Sequence, residues 1–287
     1  MPFLSPQQVK AFNRDGFLVL EDALPAELLA ELRAQFQRWT DLSRKHRKPY
    51  GRTLDGRPRF DLEPGHCAEQ PALRRIASPI EISAPYLRAM RENAALDAIA
   101  DLLGPNIKFH HCKINAKLPR AGTEVKFHQD FLYEPHSNDD LITALMFIDE
   151  VTEENGPLEV VPGSHTGPLH ELWHDGVFTG AVDNRIARKA AQKTVQCTGP
   201  AGAICLMHTR LLHASAANRS RHPRTLFIAV YSAEDALPLS PNPLPSRYAG
   251  EVVRGRQTNR VRCSGYEMAL PEVPKSASFF HQQAKQG

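Results

Sequence analysis

The sequence has no run near the roughly 18 consecutive apolar residues that a membrane-spanning helix needs. Its opening, MPFLSPQQVKAFNRDGF, also lacks the charged-then-apolar order of a secretory signal. No membrane partner is expected, and the expected location is cytoplasmic. Cysteine is sparse: five residues, Cys67, Cys112, Cys197, Cys205 and Cys263, with no CxxC pair. An odd, scattered set argues against a disulfide framework and a zinc knuckle, and leaves reduced thiols, mostly in the core. Charge of one sign is lacking too. The formal net charge is +3 over 287 residues, with Lys and Arg interspersed among Asp and Glu. That gives no basic stripe for nucleic acid. The densest basic stretch, Ser43 to Lys48, runs into Pro49 and Gly51 and reads as a solvated loop, with gating of an anionic substrate as the minority reading.

What is present is an ordinary apolar complement of 41%, enough for a sizeable core, and no internal repeat, so one domain over 1–287 is expected. Ser5-Pro6-Gln7-Gln8 has the pattern of an N-cap followed by proline in the first turn, and Phe17-Leu18-Val19-Leu20 that of a strand. A second helix starts at Pro25-Ala26-Glu27 with Leu28, Leu29, Leu32 and Phe36 on one face. Residues 51–65 lose periodicity and read as a loop. Helical spacing returns around Pro85–Met90 and Asn93–Leu103 and stops at Gly104-Pro105. Thus 1–104 is expected to be mixed and mostly helical.

From 105 to 235 the pattern becomes short β-like runs: Ile107–Ala116, Glu124–Phe131, Leu141–Ile148, Leu158–Val161, Ala203–Met207 and Thr225–Tyr231. This spacing predicts a mainly β core of barrel or jelly-roll type behind N-terminal helices, with 236–287 as an irregular covering tail. In Phe127-His128-Gln129-Asp130-Phe131 the imidazole and the carboxylate are two residues apart. On a strand both would leave the same face and meet one ion. His213, after an apolar run and a turn, completes a facial triad of two histidines and a carboxylate, which suits iron(II) with adjacent positions open. Eleven residues further on, Arg224 heads another apolar run, where its guanidinium could make the two-pronged bond that a distal carboxylate of 2-oxoglutarate requires.

Strand parity supplies a further set. Phe109, His111, Lys113, Asn115 and Lys117 would share one face, too polar for a dry core, and suited to lining a site, although an exposed sheet face would look the same. His110, His111 and Cys112 are adjacent, so a metal site built from them would need a bulge.

With these residues in view the chain resembles the phytanoyl-CoA dioxygenase superfamily of iron(II)/2-oxoglutarate oxygenases over nearly its whole length. The motifs that carry the likeness, in order, are Asp15-Gly16-Phe17-Leu18-Val19-Leu20, His128-Gln129-Asp130, Glu154-Asn155-Gly156-Pro157-Leu158 with Val161-Pro162-Gly163-Ser164-His165, and His213…Asn218…Ser220…Arg224. Lys113-Ile114-Asn115-Ala116-Lys117 ahead of His128 is similar to bacterial proline 4-hydroxylase and ectoine hydroxylase types. The resemblance implies a double-stranded β-helix of cupin-like form, with His128, Asp130 and His213 as ligands of iron(II). It implies 2-oxoglutarate held by Arg224, Asn115 and Ser215, with O2 as oxidant and ascorbate as reductant. It also implies a small polar or amino-acid-like substrate facing His111, with Lys113 and Lys117 as further substrate candidates from the strand's polar face. The expected reaction is hydroxylation of an aliphatic C–H bond with release of succinate and CO2.

Three other readings stand beside it. A non-catalytic cupin-like binder of metal or small molecules would keep the triad without turnover. An oxygenase of the same kind would act on a carrier-bound acyl substrate. A zinc hydrolase would use the same ligands with Glu124 as general base on the strand of His128.

Overall fold

The computed structural model describes residues 2–120, 122–273 and Gln283. The first helix, α1 (Pro6–Asp15), is closed at its start by a capping box between Ser5 and Gln8, and at its end by Gly16 at φ 82°. The chain then enters β1 (Phe17–Leu20) and α2 (Ala26–Ser43). Residues 51–65 are not all loop. They contain β2 (Phe60–Leu62), which pairs with β3 (Leu73–Ala77), and neither strand is visible as an alternating pattern. Helices α3 (Ala84–Arg91) and α4 (Ala95–Leu103) complete the N-terminal part.

The β core follows as β4 (Ile107–Lys117), β5 (Val125–His128), β6 (Leu141–Phe147), β7 (Leu158–Val160), the two-residue β8 (Trp173–His174) and β9 (Val177–Phe178), β10 (Val195–Cys197), β11 (Ile204–His208), β12 (His213–Ser215) and β13 (Arg224–Ala233). A short helix absent from the sequence expectation, α5 (Asn184–Ala191), is capped by Asp183. The expected covering tail contributes a strand of its own, β14 (Val252–Arg254), on β4. Residues 274–282 and 284–287 of that tail lie outside the described residues.

Two antiparallel sheets face each other, as the jelly-roll expectation requires. The larger runs β1-β11-β6-β13-β4-β3-β2 with β14 added on β4, and the smaller runs β10-β7-β12-β5. Strand β13 shows how they are held. Its Phe227, Ala229 and Tyr231 face the helices and belong to the main apolar cluster. Its Leu226 and Ile228 face inward and pack with Leu158 and Val160 of the smaller sheet. On the helix side Tyr86 stacks on Trp39 at 5.3 Å, meets Phe227 edge-on at 5.0 Å and donates its hydroxyl to the Leu32 carbonyl at 3.1 Å. Each such fully buried aromatic contributes about 1.5–3 kcal/mol.

The polar face of β4 departs from simple alternation. Val230 of β13 pairs with His111 and the next residue, Tyr231, pairs with Phe109, so His110 is an extra residue in the ladder. Phe109 therefore sits with Cys112 and Ile114 on the helix side, and not with His111, Lys113, Asn115 and Lys117 as parity had placed it. The bulge leaves His110 and His111 on the same, inner face.

Gly156 marks where the loop before β7 comes closest to β4 and β12. Asn155 fixes this loop, accepting from Thr152 N at 2.9 Å and donating to the Glu150 carbonyl at 2.8 Å. Gly156 has φ 79°, and a Cβ there would fall 2.5 Å from the Ala216 carbonyl oxygen and 2.9 Å from Lys117 Cδ. Gly156→Ala is expected to destabilise the fold by about 2 kcal/mol or more, through left-handed backbone strain and this clash. The check is the denaturation midpoint in urea; a midpoint equal to that of the parent would mean that the loop simply moves away.

Candidate active site

His213 on β12 is the register partner of His128 on β5, so the smaller sheet sets the two imidazoles side by side, with ring centroids 4.2 Å apart. Each ring is turned by its own backbone: Nδ1–H of His128 donates to the Lys126 carbonyl and Nδ1–H of His213 to the Leu211 carbonyl, both at 2.8 Å. That fixes the tautomer in which both Nε2 atoms carry a free lone pair. Asp130 arrives differently from the expectation. Strand β5 ends at His128, and Asp130 opens a one-turn 3-10 helix, Asp130–Leu132. That turn still brings Oδ1 to 3.3 Å from His128 Nε2 and 3.6 Å from His213 Nε2, while Oδ2 accepts from the Thr143 hydroxyl at 2.9 Å.

This donor set fits a divalent metal. Ligands bound at about 2.1 Å lie about 3.0–3.4 Å apart, close to the spacings found. Burial works against the Asp130 charge, yet His213, His128 and Lys113 together hold its carboxyl well below the usual range. Burial, reinforced by His128, pulls His213 down to about 4 and keeps it neutral near pH 7, the form that can bind a metal.

A cavity connects this cluster to Arg224, lined among others by Lys113, Asn115, Lys117, Ser215 and Leu226. Arg224 is 4% exposed, and its Nε has no hydrogen-bond partner among the described residues; Asn115 Oδ1 has none either. Arg224 NH2 is 3.5 Å from Ser215 Oγ. A buried guanidinium edge without an acceptor costs free energy unless an anion completes it. This end of the cavity therefore fits a carboxylate such as the distal one of 2-oxoglutarate.

Lys117 lies at the same end and away from His111. Its Nζ donates to Ser215 Oγ at 2.6 Å, to the Ser215 carbonyl at 3.0 Å and to the Ala216 carbonyl. Burial first and the Arg224 charge second bring its pKa down to about 6. Lys113 sits beside the triad, its pKa lowered by burial and supported by Asp130. Glu124, the base a hydrolase would need, precedes β5 and is not among the residues lining this cavity. Two residues of the site escaped sequence reasoning: Thr143, a β6 residue with no motif around it, and Glu134, whose carboxylate lies 2.7 Å from His111 Nε2.

The model of the phytanoyl-CoA dioxygenase (PhyH) family matches residues 12–226. The chain belongs to this family. It is an iron(II)- and 2-oxoglutarate-dependent dioxygenase. The chain is 35% identical over 205 residues to a Stutzerimonas stutzeri protein named "Probable alpha-ketoglutarate-dependent hypophosphite dioxygenase", covering 69% of this chain and 71% of that one. It is 30% identical to the L-proline trans-4-hydroxylase of Streptomyces griseoviridis, covering 84% and 92%. Among solved structures it is similar to EctD from S. alaskensis with 2-oxoglutarate and 5-hydroxyectoine, at TM-score 0.65 and 24% identity over 93% of this chain and 89% of that one. This last likeness concerns the fold, and it agrees with the two-sheet core. No helix among the described residues is long and apolar enough to cross a membrane.

Three buried imidazoles of this dioxygenase, His136, His208 and His213, are held at about 4, in each case chiefly by burial. In the unfolded chain they take up protons near 6.5, while in the folded chain they stay neutral until about 4. The contribution of these three imidazoles to stability is therefore expected to be full above pH 6.5, to fall as pH drops towards 4, and to level off below. The loss is at most about 3 kcal/mol per imidazole. Urea midpoints of the metal-free protein across that window test this, and His208→Asn should flatten the slope. An unchanged slope in that variant would contradict the assignment.

Proposed function

We propose that the chain hydroxylates an aliphatic C–H bond of a small polar, amino-acid-like substrate, with His128, Asp130 and His213 holding iron(II) and Arg224 holding 2-oxoglutarate. The observation that carries this reading is one cavity with a His/Asp/His cluster at one end and a buried, incompletely partnered guanidinium at the other. The named relatives support the substrate class, since they include a hydroxylase of L-proline and ectoine dioxygenases. Iron with 2-oxoglutarate supplies oxidation of a C–H bond by dioxygen, coupled to decarboxylation of the co-substrate to succinate and CO2, with ascorbate keeping the metal reduced.

The chain's own residues supply orientation and exclusion of water. Thr143 holds one oxygen of Asp130, which leaves the other facing both imidazoles. Arg224 binds the distal carboxylate, with Lys117, Ser215 and Asn115 around it. The apolar walls Leu145, Leu158, Leu226 and Ile228 keep the cavity between the sheets dry enough for these charges to act strongly.

The test is succinate formation by the purified protein with iron(II), ascorbate, dioxygen and 2-oxoglutarate across a panel of small amino acids. Substrate-stimulated succinate is expected, lost in Asp130→Ala. In Arg224→Leu the KM for 2-oxoglutarate should rise roughly tenfold to hundredfold, because a charge-assisted, two-pronged contact is removed. Turnover that survives Asp130→Ala, or an unchanged KM in the arginine variant, would overturn the assignment of these roles.

A further inference from the structure

The bulge at His110 gathers a second buried cluster on the inner face of the larger sheet. His110 Nε2 lies 3.3 Å and His111 Nε2 2.7 Å from the same oxygen, Oε2 of Glu134, which follows the turn that carries Asp130. His136 packs edge-on to His110 at 4.6 Å, its Nδ1–H donating to the Glu134 carbonyl at 2.8 Å. All four residues are buried. The three closest groups have the types and proximity of metal ligands. However, 2.7 Å is shorter than the roughly 3.0–3.4 Å between ligands of one ion, and it is an ordinary hydrogen-bond length. The pair is therefore read as a close polar contact between His111 and the Glu134 carboxylate, whose Oε2 is buried with no hydrogen-bond partner among the described residues.

His111 Nδ1 is likewise buried with no partner among the described residues. His110 Nε2 is in the same condition. Both imidazoles lie within ion-pairing distance of Glu134, and the Lys113 charge also acts on it. Burial raises the Glu134 pKa, and it holds His110 well below its ordinary value, so His110 adds no compensating charge near pH 7. The cluster thus gathers three buried polar atoms, Glu134 Oε2, His110 Nε2 and His111 Nδ1, that no hydrogen bond among the described residues completes. A buried carboxylate in that condition is costly unless a ligand completes it.

Its position says which ligand. Along β4, Lys117 stands at the Arg224 end of the cavity, Asn115 and Lys113 follow beside the triad, and His111 lies beyond them, about 20 Å from Lys117 at strand spacing. The cluster is therefore on the far side of the triad from the co-substrate carboxylate. We propose that Glu134, with His111 and the bulge-directed His110, is the subsite for a protonated amine of the substrate, so that the substrate is a small amine-bearing molecule such as a free amino acid and not a bare oxyanion. An ammonium brings up to three N–H donors to these unpartnered atoms. This rests on the dioxygenase reading of His128, Asp130 and His213.

The experiment uses the whole chain, loaded anaerobically with iron(II) and 2-oxoglutarate, whose visible charge-transfer absorption reports co-substrate binding and whose perturbation reports binding next to the metal. The probes are the proteinogenic amino acids, their N-acetyl derivatives and hypophosphite. At least one free amino acid is expected to perturb the absorption, its N-acetyl derivative to bind at least tenfold more weakly, and hypophosphite not to bind. Glu134→Gln should weaken the amino acid at least tenfold and leave 2-oxoglutarate affinity within twofold; His110→Gln should weaken it less. Perturbation by hypophosphite and by no free amino acid, equal binding of acetylated and free forms, or unchanged amino-acid affinity in Glu134→Gln would each overturn the inference. Failure of the absorption to form in the parent protein would overturn the underlying site assignment and this inference with it.

Discussion

The register of β12 is the constraint on which the site depends. It places His213 opposite His128 and, on its other edge, opposite Val160. Because side chains alternate with period two, a one-residue slip would send His213 to the outside of the sheet. Ser215 helps hold that register, donating to the Gly156 carbonyl at 3.0 Å and accepting from Lys117, and Leu158 and Val160 pack inward against Leu226 and Ile228, so contact between the sheets positions the two imidazoles. A second consequence follows at the other end of the cavity. The strand that carries Leu226 and Ile228 begins with Arg224, so the same packing fixes the guanidinium relative to the imidazoles.

Much of this was legible beforehand, and the reasons are local. The Ser5 cap, the stop at Gly104, the β-rich middle and the residues His128, Asp130, His213, Arg224 and Ser215 each stand in a short segment whose pattern carries its own meaning. What escaped depends on partners distant in sequence. Strand β3 reads Leu-Arg-Arg-Ile-Ala, yet every residue of it is buried, because Arg74 finds Asp61 at 2.7 Å on the neighbouring strand. Alternation in the sequence cannot register that. The same holds for β14, three residues long, which pairs with β4 and ties back to α4 through Arg254 and Asp97 at 2.7 Å.

The parity argument for β4 illustrates the boundary well. It correctly grouped His111, Lys113, Asn115 and Lys117, and failed at Phe109, because one inserted residue inverts the alternation for everything on its far side. A bulge leaves no sign in composition, and its energetic justification lies across the sheet, where Tyr231 anchors the helix side by donating to the Met90 carbonyl at 2.8 Å. Asp130 shows the converse: the expected convergence was right although the assumed strand was a 3-10 turn, since two residues of either geometry can bring a carboxylate back to an imidazole.

Charge is distributed along β4 in an order that serves the chemistry. Arg224 carries positive charge at one end, beside the Lys117 amine whose pKa it helps to lower, Asp130 and the imidazoles hold the middle, and Glu134 lies past the triad. None of these groups is comfortable alone: burial lowers both cations and raises Glu134. Stability is thereby given up for preorganisation, because groups already desolvated by the fold need no further reorganisation when a ligand of matching charge arrives. The strand acts as a ruler. Its pitch sets how far a carboxylate at the Arg224 end stands from a donor at the Glu134 end, and the bond to be oxidised must fall between them, beside the triad.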